Sequence, residues 1–181
     1  MYVDLDETLV HSQFKQVPNF DYVLPVDIEG RICNIYVQKR PGAEKFLEEM
    51  SKYYEVIIFT ASLSKYAEPL MMKMDRGGWC SALLFREHCT FMNGTFVKDL
   101  SILGRDLKDS LIVDNSPAAY MLQPENAIPS ISWYEDMKCR ELFDFIPLLI
   151  DLSTVHDVRE AVSRFVKNCQ INYQVASMVI H

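Results

Sequence analysis

A chain of 181 residues, 49 % of them apolar, is sized for one domain with one sizeable core, and so for one principal site. Its formal charge of −7 and pI near 5.1 exclude the basic stripe with which nucleic-acid-binding surfaces displace counterions, so no direct contact with nucleic acid is expected. No apolar run approaches the roughly 18 residues of a membrane span, and the five cysteines, Cys33, Cys80, Cys89, Cys139 and Cys169, form no CxxC pair, as reduced core thiols of a nuclear or cytoplasmic protein would.

Met1 stands three residues before the first carboxylate, which leaves no room for a signal peptide and suggests a domain cut from a longer protein. Val3 opens a first buried strand. Tyr22 to Ile28 and Ile32 to Gln38 are β-rich segments meeting at Glu29-Gly30, which predicts an antiparallel hairpin inserted at about 14–38. Phe46, Leu47 and Met50 follow Arg40-Pro41 at helical spacing and predict a crossover helix over Gly42 to Tyr54. Glu55 to Phe59 is a second strand; Ser64 to Asp75 predicts a helix bent or broken near Pro69. Ser110 to Val113 is a third strand, and two helices close the chain. In the last of these Val158, Ala161, Val162, Phe165 and Val166 form an apolar stripe that reads as core packing, and a tail at about 170–181 is expected to be loose.

Strands alternating with helices predict an α/β fold: a mostly parallel sheet with helices on both faces, in which ligands bind beyond the carboxyl ends of the strands. Those ends carry Asp4 and Asp6, Thr60, and Asp114-Asn115. In extended backbone Asp4 and Asp6 point to the same side, and two crowded carboxylates require a compensating cation. Oxygen donors without histidine or thiolate suggest Mg²⁺ rather than zinc. Taken alone, Asp4 and Asp6 could cap a turn, and Asp114-Asn115 could cap a helix beginning at Ser116-Pro117. Their coincidence at three strand ends favours a shared site.

Asp4-Leu5-Asp6-Glu7-Thr8, Phe59-Thr60-Ala61-Ser62, Val97-Lys98-Asp99-Leu100 and Val113-Asp114-Asn115-Ser116-Pro117 resemble, in order, the four motifs of haloacid-dehalogenase-type phosphatases. The resemblance is to the small C-terminal-domain phosphatase subgroup and covers about residues 2 to 168. It implies a Rossmann-like sheet with a small inserted β-element, and a Mg²⁺-dependent protein serine/threonine phosphatase working through an aspartyl-phosphate. By that likeness Asp4 is the nucleophile, Asp6 the general acid and base, Thr60 a hydrogen-bond donor to the phosphoryl group, and Lys98 the cation that offsets its charge. Mg²⁺ sits on the Asp4 carboxylate, the Asp6 backbone carbonyl and the Asn115 side chain, with Asp114 completing the set by supporting the loop. The likeness also places Phe14, Val26, Ile28, Ile35 and Leu63 around an apolar pocket for a proline beside the phosphoserine, with Tyr66 and Arg86 holding the phosphopeptide. The tail of RNA polymerase II is one such substrate, and other phosphoproteins of lipid metabolism or signalling are alternatives. The protein is expected to act as a monomer on a phosphorylated protein or peptide.

Rival readings remain. Cys80 and Arg86 stand at the C-x5-R spacing of thiolate phosphatases, but the residues between them are apolar and strand-like. A non-catalytic phosphoprotein-binding module would be expected to have lost at least one catalytic position. A small-metabolite phosphatase would be expected to carry a larger cap. His11, His88 and His156 lack partners at ligand spacing and read as turn or surface residues.

Overall fold

The computed structural model describes residues 1–166; the expected tail at 170–181 and Cys169 lie outside the described residues. In chain order the elements are β1 (Tyr2–Val3), β2 (Val10–Gln13), β3 (Tyr22–Ile28), β4 (Arg31–Lys39), α1 (Ala43–Met50), β5 (Val56–Phe59), α2 (Ser64–Met74), β6 (Cys80–Leu84), β7 (Thr90–Met92), β8 (Thr95–Val97), β9 (Ile112–Asp114), β10 (Ala127–Pro129) and α3 (Glu141–Leu152). Residues 158–166 are also helical.

The central sheet is parallel, with strand order β10-β9-β1-β5-β6. The chain leaves β1 towards β5 and β6 on one side and later returns to β9 and β10 on the other. β1 is therefore the switch point, where the loops beyond neighbouring strands part and leave a crevice.

Alternate strand residues face opposite sides. Val3, Val56, Ile58, Leu111, Val113 and Ile128 join the main core with Phe46, Leu47 and Met50 of α1, Leu70 and Met74 of α2, and Leu142 and Leu149 of α3. Val158 and Val162 are buried there and Ala161, Phe165 and Val166 pack beside them, so the expected stripe faces the core. On the other face Tyr2, Ile57, Phe59, Ile112 and Ala127 are covered by Leu100, Leu103, Leu107 and Tyr120. Those residues come from turns and from short 3₁₀ helices at Leu100–Ile102 and Leu107–Asp109, so α-helices cover one face and 3₁₀ helices the other.

The hairpin forms over Tyr22–Ile28 and Arg31–Lys39, but β2 adds a third strand, in the order β2-β4-β3. Pro69 does not break α2, which runs as one helix from Ser64 to Met74. It lies mid-helix on the exposed side, where a missing N–H leaves a carbonyl that water can satisfy. Ser116-Pro117 begins a turn and not a helix.

Candidate active site

The loop after β1 folds back on itself. Leu9 and Val10 N–H donate to the Leu5 carbonyl at 2.9 and 3.1 Å, and Glu7 takes a left-handed φ of 58°. This turn sends the Asp4 and Asp6 side chains into one cleft and leaves Leu5 and Leu9 fully buried beneath it. β5 delivers Thr60 to Ser62, β8 leads into Lys98, and β9 ends in Asp114 and Asn115; all of these line the same cleft of about 550 Å³. The four motif segments therefore converge, as their order along the chain requires of a shared site.

Asp4 is 6 % exposed. Its Oδ1 accepts from Lys98 Nζ at 2.5 Å and its Oδ2 from Thr8 Oγ1 at 2.9 Å. Lys98 is 2 % exposed and also donates to Asp114 Oδ2 at 2.5 Å. Burial works against the ammonium, but the two carboxylates outweigh it and hold the lysine above its ordinary pKa. Asp114 has both oxygens engaged, Oδ2 by Lys98 and Oδ1 by Ser116 N–H at 2.8 Å. It thus braces the loop and the lysine.

Asp6 is differently placed. Its Oδ1 accepts from Tyr66 OH at 2.7 Å and its Oδ2 from Ser62 Oγ at 2.7 Å, with Thr60 Oγ1 at 3.5 Å. Burial pushes its pKa up to about 6; the Ser62 and Tyr66 hydrogen bonds oppose the rise, and the charge of Asp4 adds to it. Asp4 is lysine-paired and Asp6 hydroxyl-bound, so two carboxylates two residues apart are held in different surroundings.

The site suits a hard cation. Its acids are Asp4, Asp6, Glu7 and Asp114, against Lys98 and Arg86. The Thr8 hydroxyl lies 2.9 Å from Asp4 Oδ2 and 3.3 Å from Asn115 Oδ1, yet its single proton can serve only one of them. One oxygen therefore stays without a donor at a point where two converge. Asn115 Nδ2 donates to Ser132 Oγ at 2.8 Å, which aims Oδ1 towards Asp4. Among the described residues no group of three or more His, Cys, Asp or Glu could hold a metal alone. A cation here would rest on a carboxylate, an amide oxygen and a backbone carbonyl, a set in keeping with Mg²⁺.

The expected substrate-binding residues divide. Arg86 lines the cleft, its Nε donating to Ala61 O at 2.6 Å and its guanidinium lying 4.9 Å from the Phe96 ring centre. Phe14 and Leu63 are exposed, at 65 % and 41 %, and Ile28 is half-buried. Val26 and Ile35 are buried members of the main core. Tyr66 is buried behind Asp6, with its hydroxyl shared between Asp6 and Ser12; it serves the acid and not the open cleft. Cys80 lies outside the cleft on β6, where burial and neighbouring Asp75 push its thiol up. His11 is part of β2, bound to Glu7 at 3.2 Å, and His88 Nδ1 accepts from Phe85 N–H. Thr8 and Ser62 stand inside the matched motifs but were given no role by them. Ser132 and Arg40 carry no sequence signal; only the fold brings them to the site.

The family model of the NLI interacting factor-like phosphatases matches residues 2–159. The chain is 54 % identical over 159 residues to a probable C-terminal domain small phosphatase of Dictyostelium discoideum, covering 88 % of this chain and 52 % of that one. It is 51 % identical over 156 residues to the human carboxy-terminal domain RNA polymerase II polypeptide A small phosphatase 1 (86 % and 60 %). With Phosphatase Herzog of Drosophila melanogaster it shares 49 % over 158 residues (87 % and 45 %). The chain spans about half the length of these relatives. Its fold resembles the structure of Fcp1, an essential RNA polymerase II CTD phosphatase, with a TM-score of 0.62 and 19 % identity, over 81 % of this chain and 48 % of that one.

Proposed function

The chain belongs to the NLI interacting factor-like phosphatases, and from that premise we propose that it is a Mg²⁺-dependent phosphoprotein phosphatase with Asp4 as nucleophile and phosphoserine next to proline as its substrate. The observation that carries the reading is the pairing of a buried Lys98 ammonium, 2.5 Å from Asp4 Oδ1, with a second carboxylate, Asp6, raised to about 6 on the same cleft.

The mechanism follows from the difference between the two acids. A carboxylate oxygen of Asp4 attacks phosphorus, the ester P–O bond breaks, and an acyl phosphate forms on Asp4. Lys98 stays beside it and offsets the negative charge brought in by the phosphoryl group. Asp6 gives its proton to the departing seryl oxygen and then accepts one from the water that cleaves the acyl phosphate. A pKa near 6 suits a group that must act in both directions close to neutral pH. Tyr66 and Ser62 hold its oxygens in place. Thr60 Oγ1 accepts Ser62 N–H at 3.0 Å, which leaves its own proton for Asp6 or a phosphoryl oxygen. Asp4, the Asp6 carbonyl and Asn115 would hold Mg²⁺, which when bound supplies charge neutralisation and in-line orientation. Arg86 provides the cation for the phosphate or the peptide.

The substrate class rests on surface features. Phe14 and Leu63 offer exposed apolar area for a proline, and the additions to the core fold are a three-stranded sheet and the β7–β8 hairpin, which suits a macromolecule better than an enclosed metabolite. Several relatives are named for the RNA polymerase II carboxy-terminal domain, which makes that tail a first substrate to try. A reducing nuclear or cytoplasmic setting accords with the four described cysteines, all free, and among the described residues no helix is long and apolar enough to cross a membrane. We take the working unit to be a monomer.

The test is direct. The protein is expected to hydrolyse an aryl phosphate with Mg²⁺, to lose activity in a chelator and to keep it after iodoacetamide. Asp4→Asn lowers kcat by about 10⁴ or more with the circular dichroism spectrum unchanged. Turnover within about 10²-fold of the parent in that variant refutes the nucleophile, and inactivation by iodoacetamide revives the thiolate reading.

A further inference from the structure

Arg40 is 2 % exposed, a rare place for a guanidinium, and all five of its N–H groups are used. Nε donates to Cys139 Sγ at 3.3 Å. Nη1 donates to the Thr8 carbonyl at 3.1 Å and to Ser130 Oγ at 2.9 Å. Nη2 donates to Cys139 Sγ at 3.2 Å and to Glu141 Oε2 at 2.7 Å. Each of these partners belongs to a segment that shapes the site. Thr8 is the residue whose hydroxyl stands between Asp4 Oδ2 and Asn115 Oδ1. Ser130 N–H donates to the Asp114 carbonyl at 3.0 Å, and Glu141 opens α3 while accepting Ile131 N–H through both oxygens at 3.1 Å. Arg40 N–H itself donates to the Leu9 carbonyl at 2.9 Å.

On the function proposed above, we infer that Arg40 is the positioning residue of the catalytic loop: its planar fork fixes the Thr8 backbone against the segment after β10, so that the Thr8 hydroxyl is held against the Asp4 carboxylate and beside the Asn115 amide oxygen. Arg40 touches no reacting atom. It acts through Thr8, and a fork is needed because the carbonyl of Thr8, the hydroxyl of Ser130 and the carboxylate of Glu141 lie in different directions from one plane. A lysine carries the charge, but its three donors diverge from one nitrogen and cannot reproduce the rigid plane of the fork. Cys139 fills the remaining two donors and keeps the fork from turning.

The test compares the whole chain with Arg40→Lys, Thr8→Val and the double variant. Folding is followed by circular dichroism and urea denaturation, turnover with an aryl phosphate, and Mg²⁺ affinity by calorimetry. Supporting residues of this kind cost about 10- to 100-fold when changed. Folded Arg40→Lys is expected to lose kcat on that scale with KM within about twofold, and to bind Mg²⁺ about tenfold more weakly. Adding Thr8→Val should cost less than about twofold more, because both changes interrupt one path. Wild-type kcat and Mg²⁺ affinity in folded Arg40→Lys, or losses that multiply in the double variant, overturn the assignment. If Arg40→Lys does not fold, Glu141→Gln loosens the outer prong of the fork; a smaller loss of both kcat and Mg²⁺ affinity supports the assignment, and wild-type values of both overturn it. A wild-type chain without phosphatase activity would refute the proposed function, whereas the Mg²⁺ affinities still report on Arg40.

Discussion

Asp6 shows how one residue is set by its surroundings. Burial raises its pKa from 3.8 to about 6, so between these values the folded protein holds a proton that the unfolded chain has lost. The contribution of Asp6 to stability is therefore whole below pH 3.8, falls as pH rises through 6 and stays low above it. In a chelator Asp6→Asn should be more stable than the parent at pH 7.5, by about 3 kcal/mol, and no more stable at pH 3.5. Urea denaturation at the two pH values measures this; an equal gain at both would remove burial as the cause. The type of each motif residue was legible from the chain, since Asp4, Asp6, Thr60, Lys98, Asp114 and Asn115 all stand at the cleft. The part played by Tyr66 was not, because its hydroxyl reaches Asp6 across 60 residues of sequence.

Among the elements, those with apolar runs or helical spacing stood where the pattern put them. β2 was missed because Val10-His11-Ser12-Gln13 is largely polar and half-buried; it is a strand only because β4 lies beside it. β10 is three residues long and ends in proline, too short to signal itself. The start of α1 depends on Gly42, whose φ is 87° and whose missing Cβ would lie 2.8 Å from the Phe143 ring of α3. Gly42→Ala is expected to cost about 1–2 kcal/mol, from the left-handed backbone and the displaced ring together. Unchanged urea denaturation in that variant would mean that both the backbone and the α1–α3 contact adapt freely. α2 runs unbroken through Pro69, and the pattern alone cannot tell an exposed carbonyl from a buried one.

For the molecule as a whole, the consequence of the fold is that the inserted sheet and the phosphate cleft adjoin without enclosing it. Phe14→Ala with Leu63→Ala should raise KM about tenfold for a phosphoserine-proline peptide and leave an aryl phosphate unaffected. A panel that varies the proline checks the same surface: if proline makes no difference in the parent protein, the exposed apolar pair does not receive it. What the sequence determined by itself was the parallel sheet and the polar segments that end its strands, Asp4 to Thr8, Thr60 to Ser62, Lys98 and Asp114-Asn115, because apolar runs and the residues that close them are local patterns. The tertiary structure alone decided the contacts around those residues: that Lys98 lies between Asp4 and Asp114, that Asp6 is bound by Tyr66 and Ser62, and that Arg40 ties the loop from 32 residues away. Hydrogen-bond partners and burial belong to the packed chain, and no spacing along the sequence encodes them.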